Sequence, residues 1–339
     1  MAIFLSSQDI SSLISMKDCI ETIEKAYLQA GEGQTTMLPR VTLDTPRVPR
    51  FLKMLPASFA GWEAAGIHIY TVSGSGTLVK VILIFDIPSG DLQAVVESDR
   101  IGWLVPGALS AVATQYLARK DARVLAVFGS GRQARSQVLS IPVVRPLELI
   151  KIYSPQKSHR ENFCNEMRKL LGINMIAVDS PEEAIKGSDI LSTTTNSPEP
   201  IFDGNWVEPG THINAIGAHR PDRRELDSVC IQRSKVVVDS RDRALKEEGE
   251  LLIPIREKTI VPDHIYGELG EIVAGQKPGR VDEKERTVLL SGGTGIEYVA
   301  MAIRLFQEAQ KRGIGQELQT EKDPAIPKSL YLKERKMSR

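Results

Sequence analysis

The chain has 339 residues, and Lys plus Arg equal Asp plus Glu at 43 each, so the net charge is near zero. That balance favours neither nucleic acid nor an anionic membrane surface as a partner. The composition, 42% hydrophobic and 25% charged, is that of a globular protein with room for two domains, and no apolar run approaches the ~20 residues that span a bilayer.

The N-terminal MAIFLSSQDISSL lacks the basic-then-apolar order of a signal peptide. Cys19, Cys164 and Cys230 lie far apart with no ligand spacing, so they read as reduced thiols of a cytoplasmic protein, and no metal site is expected. Leu13, Met16, Ile20, Ile23 and Tyr27 recur at helical spacing, which predicts one amphipathic helix over 8–31 with Ser7 or Asp9 as its cap. Residues 37–92 alternate short apolar runs with turns such as Ser73-Gly74-Ser75-Gly76 and Pro88-Ser89-Gly90-Asp91. Strands are expected at 40–43, 51–55, 66–72, 79–86 and 93–97, in a mostly antiparallel sheet.

The pattern changes near residue 100. A helix is expected from Trp103 to Ala118, and then strands and helices alternate. The strands fall at about 123–128, 148–153, 174–178, 189–193, 211–216 and 235–238. The helices fall at about 132–141, 158–171, 181–187 and 224–232, with Pro142 ending the first of them. Such alternation predicts a parallel sheet with right-handed crossovers. A last helix spans 297–312, and the tail after Gly315 reads as frayed. The expected fold class is α/β: a Rossmann-type doubly wound sheet plus an N-terminal, mostly antiparallel α+β domain completed by the C-terminal helix. The domains are drawn as 1–112 for substrate and dimerisation, with 305–330 packing back on it, 113–304 for the dinucleotide, and 331–339 as a disordered tail.

The segment Val124-Leu125-Ala126-Val127-Phe128-Gly129-Ser130-Gly131-Arg132-Gln133-Ala134 reads as a buried strand, a GxGxxA turn and a helix start. Gly129 permits the tight turn, Gly131 lets backbone approach a pyrophosphate, and Ala134 lets the helix pack on the strand. The helix N-terminus favours phosphate. After the second strand, Ser154, Lys157 and Arg160 stand where an NAD enzyme places a carboxylate. They either hold a 2′-phosphate, which favours NADP(H) with NAD(H) possible, or are solvated on an exposed helix. Thr193, Thr194 and Thr195 end another strand, facing the nicotinamide half of the cofactor or serving as a cap. Gly217 and His219 follow the strand at 211–216, where a titratable His is placed for proton transfer. Ser291 and Gly293 belong to a small-residue run that lets backbone approach a ligand or acts as a hinge. Arg40 is a candidate carboxylate clamp, and His68 shares a strand face with Tyr70.

These blocks resemble the ornithine cyclodeaminase/μ-crystallin family over nearly all of residues 1–318. The resemblance rests on Pro39-Arg40, Met54-Leu55-Pro56-Ala57, Tyr116-Leu117-Ala118-Arg119, the Gly129–Arg135 turn, Pro209-Gly210-Thr211-His212-Ile213-Asn214-Ala215-Ile216-Gly217, Glu225-Leu226-Asp227 and Glu268–Gly275. It implies hydride transfer between a nicotinamide and the α-carbon of an amino or imino acid, and a homodimer built through the N-terminal domain. Arg40 matches the family's carboxylate-binding Arg. The family places a Lys where this chain has His68, an Arg-Thr pair where it has Val105-Pro106, and in some members an Asp where it has His219. Loss of the Arg removes a contact of roughly 1.5–3 kcal/mol and leaves an apolar wall at Leu104-Val105-Pro106. The reading is an NADP(H)-preferring reductase of an imino acid. In it Arg40 anchors the carboxylate, His68 orients the substrate and His219 is the general acid. Two alternatives are a cyclodeaminase and a crystallin-like binding protein without turnover.

Overall fold

Two eight-stranded sheets organise the chain, in a computed structural model that describes residues 2–44, 51–72, 79–218 and 220–319. The first sheet takes β1 (Ala2–Leu5), β2 (Thr35–Met37), β3 (Val41–Asp44), β4 (Phe51–Phe59), β5 (Ala64–Val72), β6 (Lys80–Asp86) and β7 (Leu92–Glu97). The second takes β8 (Val124–Phe128), β9 (Leu149–Tyr153), β10 (Asn174–Ala177), β11 (Ile190–Thr193), β12 (His212–Ala215), β13 (Lys235–Val238), β14 (Ile265–Glu268) and β15 (Thr287–Leu290). A final strand, β16 (Gln316–Leu318), returns to the first sheet.

The second sheet is wholly parallel, in the order β10-β9-β8-β11-β12-β15-β13-β14. The order reverses direction between β8 and β11, the switch point at which open α/β sheets leave a crevice. The first sheet runs β16-β1-β7-β6-β5-β4-β2, with β3 also on β4, and only its β1–β7 pair is parallel. This is the expected fold class. Its crossovers include α4 (Arg132–Val144), α5 (Lys157–Leu171) and α6 (Pro181–Ile185). Between the sheets runs α3 (Ile101–Leu117), buried on nearly every side and packed on α4, as an all-apolar helix must be. The last helix, α11 (Gly295–Arg312), lies across β4, β5 and β6.

Five local expectations differ from the structure. The helix expected over 8–31 is two, α1 (Ser7–Leu13) and α2 (Met16–Gly31). Ser15 is extended and accepts from the Asp18 N–H while Asp18 accepts from the Ser15 N–H, so a capping box restarts the helix. The cap of α1 is Ser6, with Asp9 as its reciprocal partner. Pro142 does not end α4, which continues to Val144. Only one N–H is lost there, and Arg145 still donates to the Ile141 carbonyl. The helix expected over 224–232 is only α7 (Ser228–Gln232), because Asp227 caps it and Glu225 is buried before it. The tail after Gly315 is not frayed at its start: β16 pairs antiparallel with Ala2–Phe4. Residues 331–339, expected to form a disordered tail, and His219 lie outside the described residues.

Between β13 and β15 come α8 (Arg241–Glu247), α9 (Gly249–Arg256) and α10 (Leu269–Val273), none of them evident from periodicity. All three cysteines are free and buried. Among the described residues, no helix is long and apolar enough to cross a membrane.

Candidate active site

The turn after β8 has the geometry its glycines suggest. Gly129 sits at φ 118°, and a Cβ there would lie 2.6 Å from Thr194 Oγ1. A left-handed, crowded position of this kind accepts only glycine. Gly131 caps α4, and a Cβ on it would meet nothing within 4 Å. The space in front of the free N–H groups of α4 is therefore open, as a pyrophosphate needs. Ala134 is fully buried beneath the turn. Arg132 donates to the Asp99 carbonyl at 2.7 Å, and Gln133 donates to the Gly102 carbonyl at 3.2 Å, so the start of α4 is tied to α3. Arg135 reaches back to the Ser130 and Gly131 carbonyls while paired with Glu166 at 2.6 Å.

Beside the turn, a cavity of about 410 Å³ is lined by Gly129, Tyr153, Ser154, Pro155, Thr195 and Ile201, among others. Ser130 donates to Ser154 Oγ at 3.1 Å. Lys157 is exposed and lies 3.8 Å from Glu161. Arg160 departs from both of its expected roles. It is buried, donates to the Ser154 carbonyl and pairs with Asp179, so it braces the loop and is unavailable to a phosphate.

The three threonines also divide. Thr193 is fully buried and donates to Glu225 at 2.7 Å, and Thr194 donates to the Phe128 carbonyl at 2.9 Å. Their hydroxyls hold the loop together and are already engaged within the protein. Thr195 lines the cavity beside Ser154. Glu225 also accepts from the N–H groups of Thr195 at 2.6 Å and Gly217 at 2.9 Å. A side chain at Gly217 would collide with that carboxylate, so Gly217 shapes the loop. Burial pushes the Glu225 carboxyl up, against the hydrogen bonds that pull it down.

A second cavity, of about 310 Å³, opens where α3 and the start of α4 face the first sheet. Its walls include Arg40, His68, Gln133, Ser291 and Gly293, so five expected site residues meet there although they span more than 250 positions. Arg40 is only 8% exposed. It donates to the Gly292 and Gly293 carbonyls at 2.7 and 3.3 Å and pairs with Glu247 at 3.1 Å. Its Nε is buried with no partner among the described residues. The loop receiving Arg40 is pinned by Asp239, which accepts from Ser291 Oγ and from the Gly292 and Gly293 N–H groups at 2.8–3.2 Å. Gly293 stands at φ 77°.

His68 is buried, with its ring 4.3 Å from that of Tyr298 and 5.1 Å from that of Tyr70. Burial, aided by the Lys80 and Arg40 charges, holds its pKa down to about 3, so the ring is neutral. Ser98 Oγ lies 3.0 Å from Nε2, and no other acceptor serves that hydroxyl among the described residues. Ser98 and Nε2 share a hydrogen bond whose direction follows the tautomer, and Nδ1 has no partner among the described residues. His68 is a neutral hydrogen-bonding group in the cavity wall.

Among the lining residues that escaped sequence reasoning are Lys53, Tyr70, Lys80, Arg220 and Tyr298. The lysines had a readable signal, since each shares the strand parity of the buried Leu55 or Ile82 in otherwise apolar runs.

The model of the Ornithine cyclodeaminase/mu-crystallin family matches residues 1–313. The Delta(1)-pyrroline-2-carboxylate reductase of Bacillus cereus is 31% identical over 322 residues, 93% of this chain and 99% of that protein. The structure of the Thermococcus litoralis Delta(1)-pyrroline-2-carboxylate reductase, in complex with NADH and L-proline, is 36% identical and superposes with a TM-score of 0.88, covering 93% of this chain and 100% of that one. An archaeal alanine dehydrogenase dimer with bound NAD is 29% identical with a TM-score of 0.88, covering 94% and 99%.

Proposed function

As the chain belongs to the ornithine cyclodeaminase/mu-crystallin family, we propose that it is an NAD(P)H-dependent reductase of the C=N bond of an imino acid. The observation that carries this reading is the joining of two sites by one cavity: Gln133 from the nucleotide turn and Arg40 line the same space. Gly129, Gly131 and the start of α4 would hold a nicotinamide dinucleotide, which would supply the hydride. Arg40, which lines the cavity, holds the substrate carboxylate. Neutral His68 hydrogen-bonds to the substrate through Nδ1 and fixes its orientation. His68 does not deliver a proton as a cation, because its charge is lost well below neutral pH. We assign the proton donor to His219, which follows the last residue of β12 by four positions in the sequence; ligands of parallel sheets gather at the C-terminal ends of strands. His219→Ala is expected to lower kcat about 100-fold while NADPH affinity is retained.

We further propose NADP(H) as the preferred cofactor, supported by Ser154 and Lys157 and by the absence of a carboxylate between Tyr153 and Arg160. The buried thiols suit a cytoplasmic enzyme. The face of the first sheet opposite the cavity carries the half-buried Met54, Ile67, Ile69 and Leu83 and the more exposed Phe85. That face supports a homodimer, as does the dimeric archaeal relative. Light scattering should give twice the chain mass, and a monomer at micromolar concentration overturns that assembly.

The function is tested with Δ1-pyrroline-2-carboxylate, and with 2-oxo acids plus ammonia or methylamine, by following loss of nicotinamide absorbance. Oxidation of NADPH faster than NADH, with a cyclic or linear amino acid as product, is the expected result. Release of ammonia from ornithine without net cofactor oxidation establishes a cyclodeaminase instead. NADPH binding with no turnover on any of these substrates establishes a binding protein.

A further inference from the structure

The family resemblance places a Lys and a carboxylate-binding Arg where this chain has His68 and Val105, and this chain keeps only Arg40 of the family's cations. The register of the first sheet shows where positive charge returns. Lys53 of β4 lies opposite Tyr70 of β5, which lies opposite Lys80 of β6. The adjacent row on the same face is Leu55, His68 and Ile82. Residues opposite one another in a ladder point to one face, so the two lysines flank His68 on the cavity side.

Both lysines line the cavity, and no Asp or Glu does so among the described residues. Lys80 is only 17% exposed. Its Nζ lies 3.5 Å from where a Cβ on Gly102 would stand, so it reaches from β6 across to α3. Gly102 is three residues before Val105 on the same stripe of α3, so the ammonium arrives beside the place left empty of an Arg. The one carboxylate near it, Asp99 at 4.0 Å, also faces Arg132 at 3.7 Å. Lys53 is half-buried and feels the Arg40 and Arg220 charges against it, offset in part by Glu247. Like charges gathered in a half-buried pocket without an acid in its walls are reconciled by a bound anion.

We infer that Lys53 and Lys80 rebuild the substrate-carboxylate grip together with Arg40, replacing from neighbouring strands the cations absent at positions 68 and 105. The inference rests on the imino-acid reading given above. It also explains how the cavity tolerates Val105: with charge brought in from the sheet, the α3 stripe of Val105, Pro106 and Leu109 stays apolar. The hydrocarbon part of a substrate stands against that wall while its carboxylate faces the sheet.

The test uses pyrrole-2-carboxylate, a planar non-reducible probe, titrated into the NADPH complex by nicotinamide fluorescence, alongside kinetics on Δ1-pyrroline-2-carboxylate. Lys80→Met should raise the probe's Kd and the substrate's KM at least tenfold, with a smaller effect for Lys53→Met. Lys80→Arg should retain most of the affinity. Val105→Arg added to Lys80→Met should recover it, which a merely structural lysine would not allow. Binding of pyrrole-2-carboxamide should respond to none of these changes. A Lys80→Met enzyme that binds the carboxylate as well as wild type overturns the inference. So does a tenfold loss of NADPH affinity in the absence of the probe, which would make Lys80 a ligand of the cofactor phosphates. Lysine-dependent binding of the probe without turnover of any imino acid sinks the reductase reading and leaves the grip standing.

Discussion

The nucleotide turn and the substrate cavity are neighbours built on opposite principles. The turn is local: Gly129, Gly131 and the start of α4 are consecutive in the chain, and the grip is backbone. The cavity is assembled: Arg40, Lys53, His68, Lys80 and Tyr298 come from four elements and a loop, brought together by strand register and by α11. A backbone grip depends on space and tolerates little side-chain change. A side-chain grip depends on charge, and charge can move between neighbouring strands without loss of the site.

The strongest way to break this contrast is inside the turn. Gly131→Val should abolish dinucleotide binding, at least 100-fold in Kd, with Tm nearly unchanged, because its Cβ meets only the space kept for phosphate. Gly129→Val should instead lower Tm markedly, since φ 118° and the Thr194 contact make that position structural. Normal NADPH binding by Gly131→Val, measured by fluorescence titration, would reduce the motif to a plain turn. In the cavity, Arg40→Met should lower kcat/KM about 100-fold through loss of a charge-assisted contact of roughly 1.5–3 kcal/mol, with cofactor affinity held.

A third expectation concerns acid. His68 is neutral when folded and titrates near 6.5 when unfolded, so its folded pKa is the lower of the two. Its contribution is complete above pH 6.5 and is lost as pH falls toward about 3, because only the unfolded chain takes up the proton. Between pH 6.5 and 5 this amounts to about 2 kcal/mol. His212, buried between Thr287 and Asn214 with its pKa also near 3, acts in the same direction. Urea midpoints at the two pH values should show the loss, and His68→Gln should flatten the slope. An unchanged slope would mean that His68 titrates normally. The smallest effect belongs to the edge of the turn: Lys157→Ala should weaken NADPH about tenfold and NADH hardly at all, because Lys157 is exposed and would touch only a 2′-phosphate. Equal weakening of both cofactors removes the basis for NADP preference.

The residues differ in legibility for physical reasons. Capping boxes at Ser6 and Ser15 are visible three residues apart, yet helical spacing carried across Ile14 hid the break between them. Arg160 looked like a phosphate ligand because its charge is readable; its burial against Ser154 and Asp179 is not. The same holds for Thr193, whose partner Glu225 is 32 residues away.

The sequence alone determined the parallel α/β unit, the antiparallel first sheet and the glycine turn, because periodicity and backbone conformation act over a few residues. Only the tertiary structure decided that β15 inserts between β12 and β13, that β16 closes the first sheet on β1, and that Asp239 positions the loop which receives Arg40. It alone decided that Lys53 and Lys80 face the same cavity as His68. Those facts depend on which strands are neighbours and in what register, and burial and charge follow from that pairing across distances in the chain that no local pattern spans.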